Sequence, residues 1–405
     1  MSPGPRGPIL RAHAPPMRVL VLTDSLSDLD GVGCYGIELL EAMQRLEPGL
    51  EVDVLLARKH RPTSAAVPAD WSVRVALPPD YFFYMTRARF LASLASGVWR
   101  TWRAARRCDV VHAIKDYPHN LVALLGARLA GVPCVATAHG TYSVQALLDP
   151  RHARLARWAY ARFDAMISVS RYTAKRLAEV WRGPRPLELF VVPNAVAVEP
   201  YAAAPTLTGR AWTAQRFTLS IGELKERKGH HLALEAWCRA ARAHPELEHY
   251  VVGKLSGDDY ERALRALVER HGMTGRVHFL GNVDEAEKLD LQQRCELFVH
   301  TPVTASDGGF EGFGLVYLEA SAAAKPVVGT LGCGAEDAIV DGVTGLLVAP
   351  EVGAVEAALV RLLGDAELRG RLGAAGARHA AASPWDDNAR RVLALYRGRP
   401  MEGAG

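Results

Sequence analysis

The 405-residue chain lacks three things that would place it quickly. It has no run of about 18 apolar residues, the length a bilayer-spanning helix needs. Its six cysteines (Cys34, Cys108, Cys134, Cys238, Cys295, Cys333) show no C-x-x-C spacing, in a chain large enough to stand without staples. A reduced, cytoplasmic state is the expectation. The opening Met1–Pro16 holds five prolines and two arginines but no continuous apolar core of the roughly 7–15 residues a secretory signal carries, so it reads as a disordered leader. What remains is 49% apolar, 23% charged and 7% aromatic, which excludes disordered, collagenous and coiled-coil chains and suits a soluble protein of two domains.

Acid is scarce in the amino half. Residues 1–195 carry 25 Lys and Arg against 16 Asp and Glu, whereas the remainder carries 23 against 28. The overall charge of +4 therefore conceals two halves of opposite sign that can face different partners.

From Met17 onward short β-branched runs alternate with amphipathic stretches. Arg18–Thr23, Val52–Leu56, Val73–Ala76, Asp109–Ala113, Pro133–Thr137, Ala165–Val169 and Leu189–Val192 have the length and composition of buried parallel strands. The series restarts after Pro193-Asn194 with Phe217–Ile221, His249–Val252, Arg276–Leu280, Leu297–His300, Pro326–Gly329 and Leu346–Val348. Alternating strands and helices require parallel sheets with right-handed crossovers, and the restart implies two of them. The expected organisation is a domain over 17–198, a linker over 199–215 and a domain over 216–384, with a helix at about 385–398 able to pack back on the first domain. Ligands of open α/β sheets bind beyond the carboxyl ends of the strands, so two facing sheets are expected to share one cleft.

Two glycine-rich helix starts could carry chemistry. Gly31-Val32-Gly33-Cys34-Tyr35-Gly36 matches G-x-G-x-x-G literally, yet seven residues separate it from the first strand, and strand two runs into Ala57-Arg58-Lys59 rather than an acid. A dinucleotide site fits poorly. Gly31 and Gly33 read instead as a loop that lets backbone approach a bulky polar ligand, the bland alternative being a flexible turn before a helix. In the second half Gly308–Gly314 leads into an apolar helix over Leu315–Ala324. The first amides of that helix, at Gly314, Leu315 and Val316, are unsatisfied donors at the positive end of a dipole and suit a pyrophosphate. Glu311 precedes the helix and Glu319 lies one turn in; on so apolar a helix an isolated acid needs a partner, such as a sugar diol. The charged turn Gly222–Gly229 places Lys228 beside a helix start, where it can neutralise phosphate or be an ordinary solvated charge.

Taken together, Arg227-Lys228-Gly229, the E-x7-E element from Glu311 to Glu319 with its Phe313-Gly314 and Leu318-Glu319-Ala320, Pro326-Val327-Val328, and Asp341–Val348 resemble glycosyltransferase family 4. In the amino half Gly31-Val32-Gly33, His139-Gly140, Ser168-Val169-Ser170 and Val192-Pro193-Asn194 extend the likeness over nearly the whole chain after Met17. The resemblance implies a GT-B fold: two Rossmann-like, doubly wound parallel-sheet domains facing a central cleft, the first for the acceptor and the second for a nucleotide-sugar. It implies a retaining transferase moving a hexose from a UDP- or GDP-linked donor without metal or other cofactor. By position, Glu311 matches the acid near the donor sugar, Glu319 the ribose acid, Leu315 and Val316 the diphosphate donors, Lys228 the phosphate lysine, His139 the histidine that positions the sugar, and Gly31 and Gly33 the glycine loop. Glu223 stands where many members carry arginine, so Lys225 or Arg227 is expected to supply the second positive charge.

Asp28-Leu29-Asp30 imitates a metal-binding D-x-D but sits in a loop before a glycine turn and reads as loop polarity or acceptor contact. Tyr81–Cys108 has no acid at all, while Arg87, Arg89, Arg100, Arg103, Arg106 and Arg107 interleave with Phe90, Leu91, Leu94, Val98 and Trp102. Such a segment can rest on an anionic membrane or receive a lipid-linked or anionic acceptor; its ordinary meaning is a solvated helix face. Nucleic acid is not expected, since no stacking motif accompanies the charge. The competing function is a silent GT-B-like subunit that binds nucleotide or a partner without transfer.

Overall fold

A computed structural model describes residues 16–27, 30–57 and 67–398. The expected leader lies, Pro16 excepted, outside the described residues, as do Asp28 and Leu29 of the D-x-D string and Arg58 and Lys59. Two compact units are present, one built from the chain up to Asn194 with the segment from Trp385, the other from Ala195–Pro384.

The first unit holds a seven-stranded sheet of β1 Arg18–Thr23, β2 Glu51–Leu56, β3 Ser72–Val75, β4 Val110–Ala113, β5 Cys134–Ala138, β6 Ala165–Ser168 and β7 Phe190–Val191. Its order is β3-β2-β1-β4-β5-β6-β7 with every pair parallel. Val19–Leu22 at its centre are wholly buried, as residues with helices on both sheet faces must be. The helix Trp385–Tyr396 belongs to this unit: the Tyr396 hydroxyl meets His112 Nδ1 at 2.6 Å, Asn388 Nδ2 donates to the Pro193 carbonyl, and Trp385 packs edge-on against Tyr35.

The second unit repeats the plan with β8 Arg216–Ile221, β9 Leu247–Val252, β10 Val277–Gly281, β11 Leu297–Val299, β12 Val327–Thr330 and β13 Gly345–Val348, ordered β10-β9-β8-β11-β12-β13 and again parallel throughout. Residues 199–215, expected as a linker, carry the short helix Glu199–Ala202 and a 3-10 turn at Ala211–Ala214. Trp212 is buried there and donates Nε1 to Asp290 Oδ2 at 2.8 Å, while Leu207 N donates to Oδ1, so this stretch packs on the second unit. The helix expected over Leu315–Ala324 ends at Ala322, because Ala324 turns to φ 56° and Pro326 cannot continue it.

Strand order reverses once in each sheet, between β1 and β4 in the first and between β8 and β11 in the second. Crossovers leave such a pair in opposite directions, so the loops beyond their carboxyl ends part and open a crevice. Most residues singled out from the sequence follow one of these four strands.

Candidate functional site

In the second unit, β8 runs into a 3-10 turn, Glu226–Lys228, which Gly229 ends at φ 67°. A side chain at Gly229 would drive its Cβ into the Thr301 carbonyl. The close approach is held by Thr301 Oγ1 donating to the Gly229 carbonyl at 2.9 Å and Val303 N donating to that of Arg227 at 3.1 Å. The loop after β8 is thereby tied to the loop after β11, and Lys228 is set against Glu311. Lys228 Nζ lies 2.5 Å from Glu311 Oε2, with His300 Nε2 at 3.5 Å and Arg227 at 3.8 Å from the same oxygen. Glu311 is only 8% exposed. Burial alone would push its carboxyl up, but the Lys228 ammonium, His300 and the Arg227 guanidinium outweigh it and hold the group well below the usual carboxylate range. Burial and Arg227 push the Lys228 ammonium down, against Glu311. Burial likewise lowers His300, so it stands as a neutral ring beside a carboxylate.

Immediately beyond, the helix Leu315–Ala322 begins at Gly314, which takes φ 86° and leaves the first turn without any side-chain cap. Gly314, Leu315 and Val316 therefore lie at a helix start, as expected, and no side chain among the described residues caps it. Glu319, one turn in, is buried to the same degree as Glu311 and has two neighbours: Gln292 Nε2 donates to its Oε2 at 3.0 Å, and Lys288 Nζ stands 3.7 Å from its Oε1. Glu223 is paired, with Lys225 at 2.9 Å and Arg227 at 3.9 Å. Burial would raise its carboxyl, but these cations hold it below its ordinary value. Lys225 is half exposed on the Glu223 side, whereas Arg227 bridges Glu223 and Glu311, so Arg227 is the candidate nearer the first acid.

In the first unit His139 follows β5, with its main-chain N–H donating to Asp116 Oδ1 at 3.2 Å and its ring meeting the edge of Tyr35. Burial pushes the imidazole down, with Asp116 opposing, and its Nε2 is buried without a hydrogen-bond partner among the described residues. Lys115, after β4, pairs with Asp24, after β1, at 2.7 Å. In the glycine loop the Gly33 amide donates to Asp30 Oδ1 at 2.8 Å, because Asp30 caps the helix Gly31–Leu46. A Cβ on Gly33 would strike the Ser27 backbone, so close packing accounts for this glycine; Gly31 faces open space. All six arginines of the basic segment are exposed, on or beside the helix Arg87–Ala105.

The sequence reading missed His300, Gln292 and Lys288. His300 had a usable signal in its place at the end of β11. Gln292 and Lys288 had none, since the helix Glu285–Arg294 shows little apolar periodicity and meets Glu319 only through the tertiary fold. Among the described residues, no group of three His, Cys, Asp or Glu is placed to hold a metal ion, and no helix is long and apolar enough to cross a membrane.

Two all-parallel sheets, each with charged loops at its order reversal, are the architecture of GT-B glycosyltransferases. A solved structure of Anabaena Alr3699/HepE in complex with UDP and glucose superposes with a TM-score of 0.72 at 22% identity, covering 93% of this chain and 98% of that one. Residues 29–199 match the family described as Glycosyltransferase Family 4, and 210–379 that described as Glycosyl transferases group 1. Among curated relatives, the phosphatidyl-myo-inositol mannosyltransferase of Mycobacterium leprae is 30% identical over 334 residues, 79% of this chain and 81% of its own length. Glycogen synthase of Mycobacterium tuberculosis is 31% identical over 300 residues, 72% and 67% respectively. The chain belongs to glycosyltransferase family 4, and is an enzyme of the glycosyl-transferring class.

Proposed function

We propose that the protein is a retaining, metal-independent hexosyltransferase that moves a hexose from a UDP- or GDP-linked donor to an acceptor hydroxyl in the cytoplasm. The observation that carries this reading is the buried Glu311 carboxylate, gripped by Lys228, Arg227 and His300 just ahead of an uncapped helix start. In the reaction the bond from the anomeric carbon to the diphosphate oxygen breaks and a bond to the acceptor oxygen forms on the same face. The acceptor proton passes to the departing diphosphate. Negative charge grows on that leaving group, and Lys228, Arg227 and the amides of Gly314, Leu315 and Val316 are the groups suited to receive it. Glu311, held ionised, cannot donate a proton at neutral pH; its part is to accept hydrogen bonds from sugar hydroxyls. Glu319 takes the ribose, and His139, kept neutral by burial, positions the sugar.

Relatives named as mannosyltransferases, and one named as GDP-mannose-dependent, support a hexosyl donor, as does a fold neighbour described with UDP-glucose. For the acceptor side we propose peripheral contact with an anionic membrane through Arg87, Arg89, Arg100, Arg103, Arg106 and Arg107. Its support is that Tyr81, Tyr84, Leu91 and Trp99 are more than half exposed along the same acid-free segment.

The test is turnover of purified protein with labelled UDP-glucose and GDP-mannose, with Glu311→Gln as control. Release of nucleoside diphosphate that falls on the order of a hundredfold or more in the variant is the expected result. Nucleotide binding with no turnover across donors and acceptors would instead favour the silent-subunit reading.

A further inference from the structure

A carboxylate reads a pair of vicinal hydroxyls well only if its plane is fixed before the ligand arrives; a glutamate side chain left to rotate loses that entropy on binding. Glu319 is not left to rotate. Gln292, wholly buried on the helix Glu285–Arg294, donates Nε2 to Glu319 Oε2 at 3.0 Å and commits that oxygen. The other oxygen, Oε1, faces Lys288 Nζ at 3.7 Å, beyond hydrogen-bond length, so the ammonium offers charge without occupying it. Lys288 is itself turned to Glu285 at 2.8 Å. A second observation points the same way. Gln292 Oε1 is buried and has no hydrogen-bond partner among the described residues, which is an uncomfortable state for an amide oxygen unless something else supplies the donor.

From this geometry we infer that Gln292 is the positioning residue of the nucleoside pocket. It fixes Glu319 so that one carboxylate oxygen stays available to the ribose diol, and so sets the preference of this enzyme for ribonucleotides over sugars lacking those hydroxyls. The inference rests on the ribose role given to Glu319 under the proposed function and adds the residue that makes that role selective.

The experiment measures calorimetric affinity for whichever of UDP and GDP gives the larger thermal shift, and for its 2′,3′-dideoxy counterpart, on the full chain. The wild type is expected to prefer the ribonucleotide. Gln292→Met, which keeps the side-chain length and removes both polar atoms, should reduce that preference about fivefold, the worth of one hydrogen bond, through the ribonucleotide alone. Dideoxynucleotide affinity should not move, whereas a merely structural defect would weaken both ligands together. Glu319→Ala should abolish the preference. If Glu319→Ala abolishes it and Gln292→Met leaves it at the wild-type ratio, the inference is overturned while the ribose reading survives. If Glu319→Ala retains the preference, the ribose reading itself fails and Gln292 with it. Should Gln292→Met not fold, Gln292→Asn, which withdraws the amide by one methylene, is scored by the same ratio.

Discussion

Lys228 owes its position to the residue after it. Only glycine accepts both the left-handed φ of 67° at position 229 and the approach of the Thr301 carbonyl, and these two demands turn the side chain of residue 228 towards Glu311. On the proposed mechanism negative charge grows beside this ammonium, which is fixed in advance and needs no reorganisation during reaction, so its removal is expected to act on the barrier more than on folding. Lys228→Ala is therefore expected to raise the barrier by about 2–4 kcal/mol and lower kcat on the order of a hundredfold in steady-state turnover. A change in KM with kcat intact would place Lys228 in ground-state binding only. At this scale the sequence is legible where a local pattern is unusual: Glu311, Glu319 and Lys228 stand out because acids and cations are uncommon beside glycine turns and apolar helices, and the fold buries both acids and sets Lys228 against Glu311. It is silent on Gln292 and Lys288, which reach Glu319 across 27 and 31 positions of chain by way of a helix whose own pattern announces nothing. Nor does it reveal that the Gly33 amide goes to an N-cap, because a G-x-G string looks the same whether its amide serves a ligand or a capping acid.

Among whole elements, the helix Arg87–Ala105 divides its apolar residues between two faces. Phe90, Gly97, Thr101, Ala104 and Ala105 are buried, and Gly97 and Gly126 permit close packing against Pro78, Val122 and Thr101. Leu91 and Trp99 point out with the arginines, and Arg103 sits over the Trp99 ring. A helix face meant only for water has no use for exposed leucine and tryptophan among cations, whereas the headgroup layer of an anionic bilayer accepts both. Arg100 is engaged with the Ala76 carbonyl at 2.7 Å, which leaves five arginines for lipid at about 1 kcal/mol each near such a surface. Co-sedimentation with phosphatidylglycerol vesicles should exceed that with phosphatidylcholine, decline with salt, and fall more than about tenfold when Arg103, Arg106 and Arg107 are all changed to Glu. Equal sedimentation with both vesicles would remove the membrane from the proposal. The strands are the elements most plainly written in the sequence, since a strand buried on both faces must be a short apolar run, and all of those expected are present within two residues, although β3, expected as buried, is largely exposed as a sheet-edge strand and β7, at the other edge, is half-buried. The segment 199–215 is the counterexample: without a period it reads as a linker, yet Trp212 and Asp290 fasten it down through contacts no local pattern encodes.

Across the whole molecule, acid should unfold the protein before it discharges Glu311. Of the buried histidines, three are pushed furthest towards the neutral state. His112 spends its ring nitrogens on Tyr396 and Thr137, His249 on Thr218 and Ser220, and His230 uses Nε2 on the Gly222 carbonyl. Burial pushes each from its ordinary 6.5 down to about 3. Between those values the unfolded chain binds protons that the folded chain refuses, so the stability these rings contribute is full above about pH 6.5 and is lost as pH falls towards 3. Going from pH 6 to pH 5 should remove roughly 1 kcal/mol for each ring, or about 3–4 kcal/mol together, a large part of the 5–15 kcal/mol that holds a typical domain folded. Glu311 contributes with the same sign but at lower pH, because its depressed carboxyl keeps its charge until the pH has fallen well below the usual carboxylate range. Two of the three histidines lie in the second unit and one in the first, so the second unit should lose more. Urea midpoints at pH 7, 6 and 5, followed by tryptophan fluorescence, should fall steadily with proton uptake on unfolding, and the acid limb of transferase activity should follow the midpoint. Midpoints that stay level from pH 7 to pH 5 would mean that these rings are already protonated in the folded state, and an activity limb that falls ahead of unfolding would transfer the acid sensitivity back to the site around Glu311.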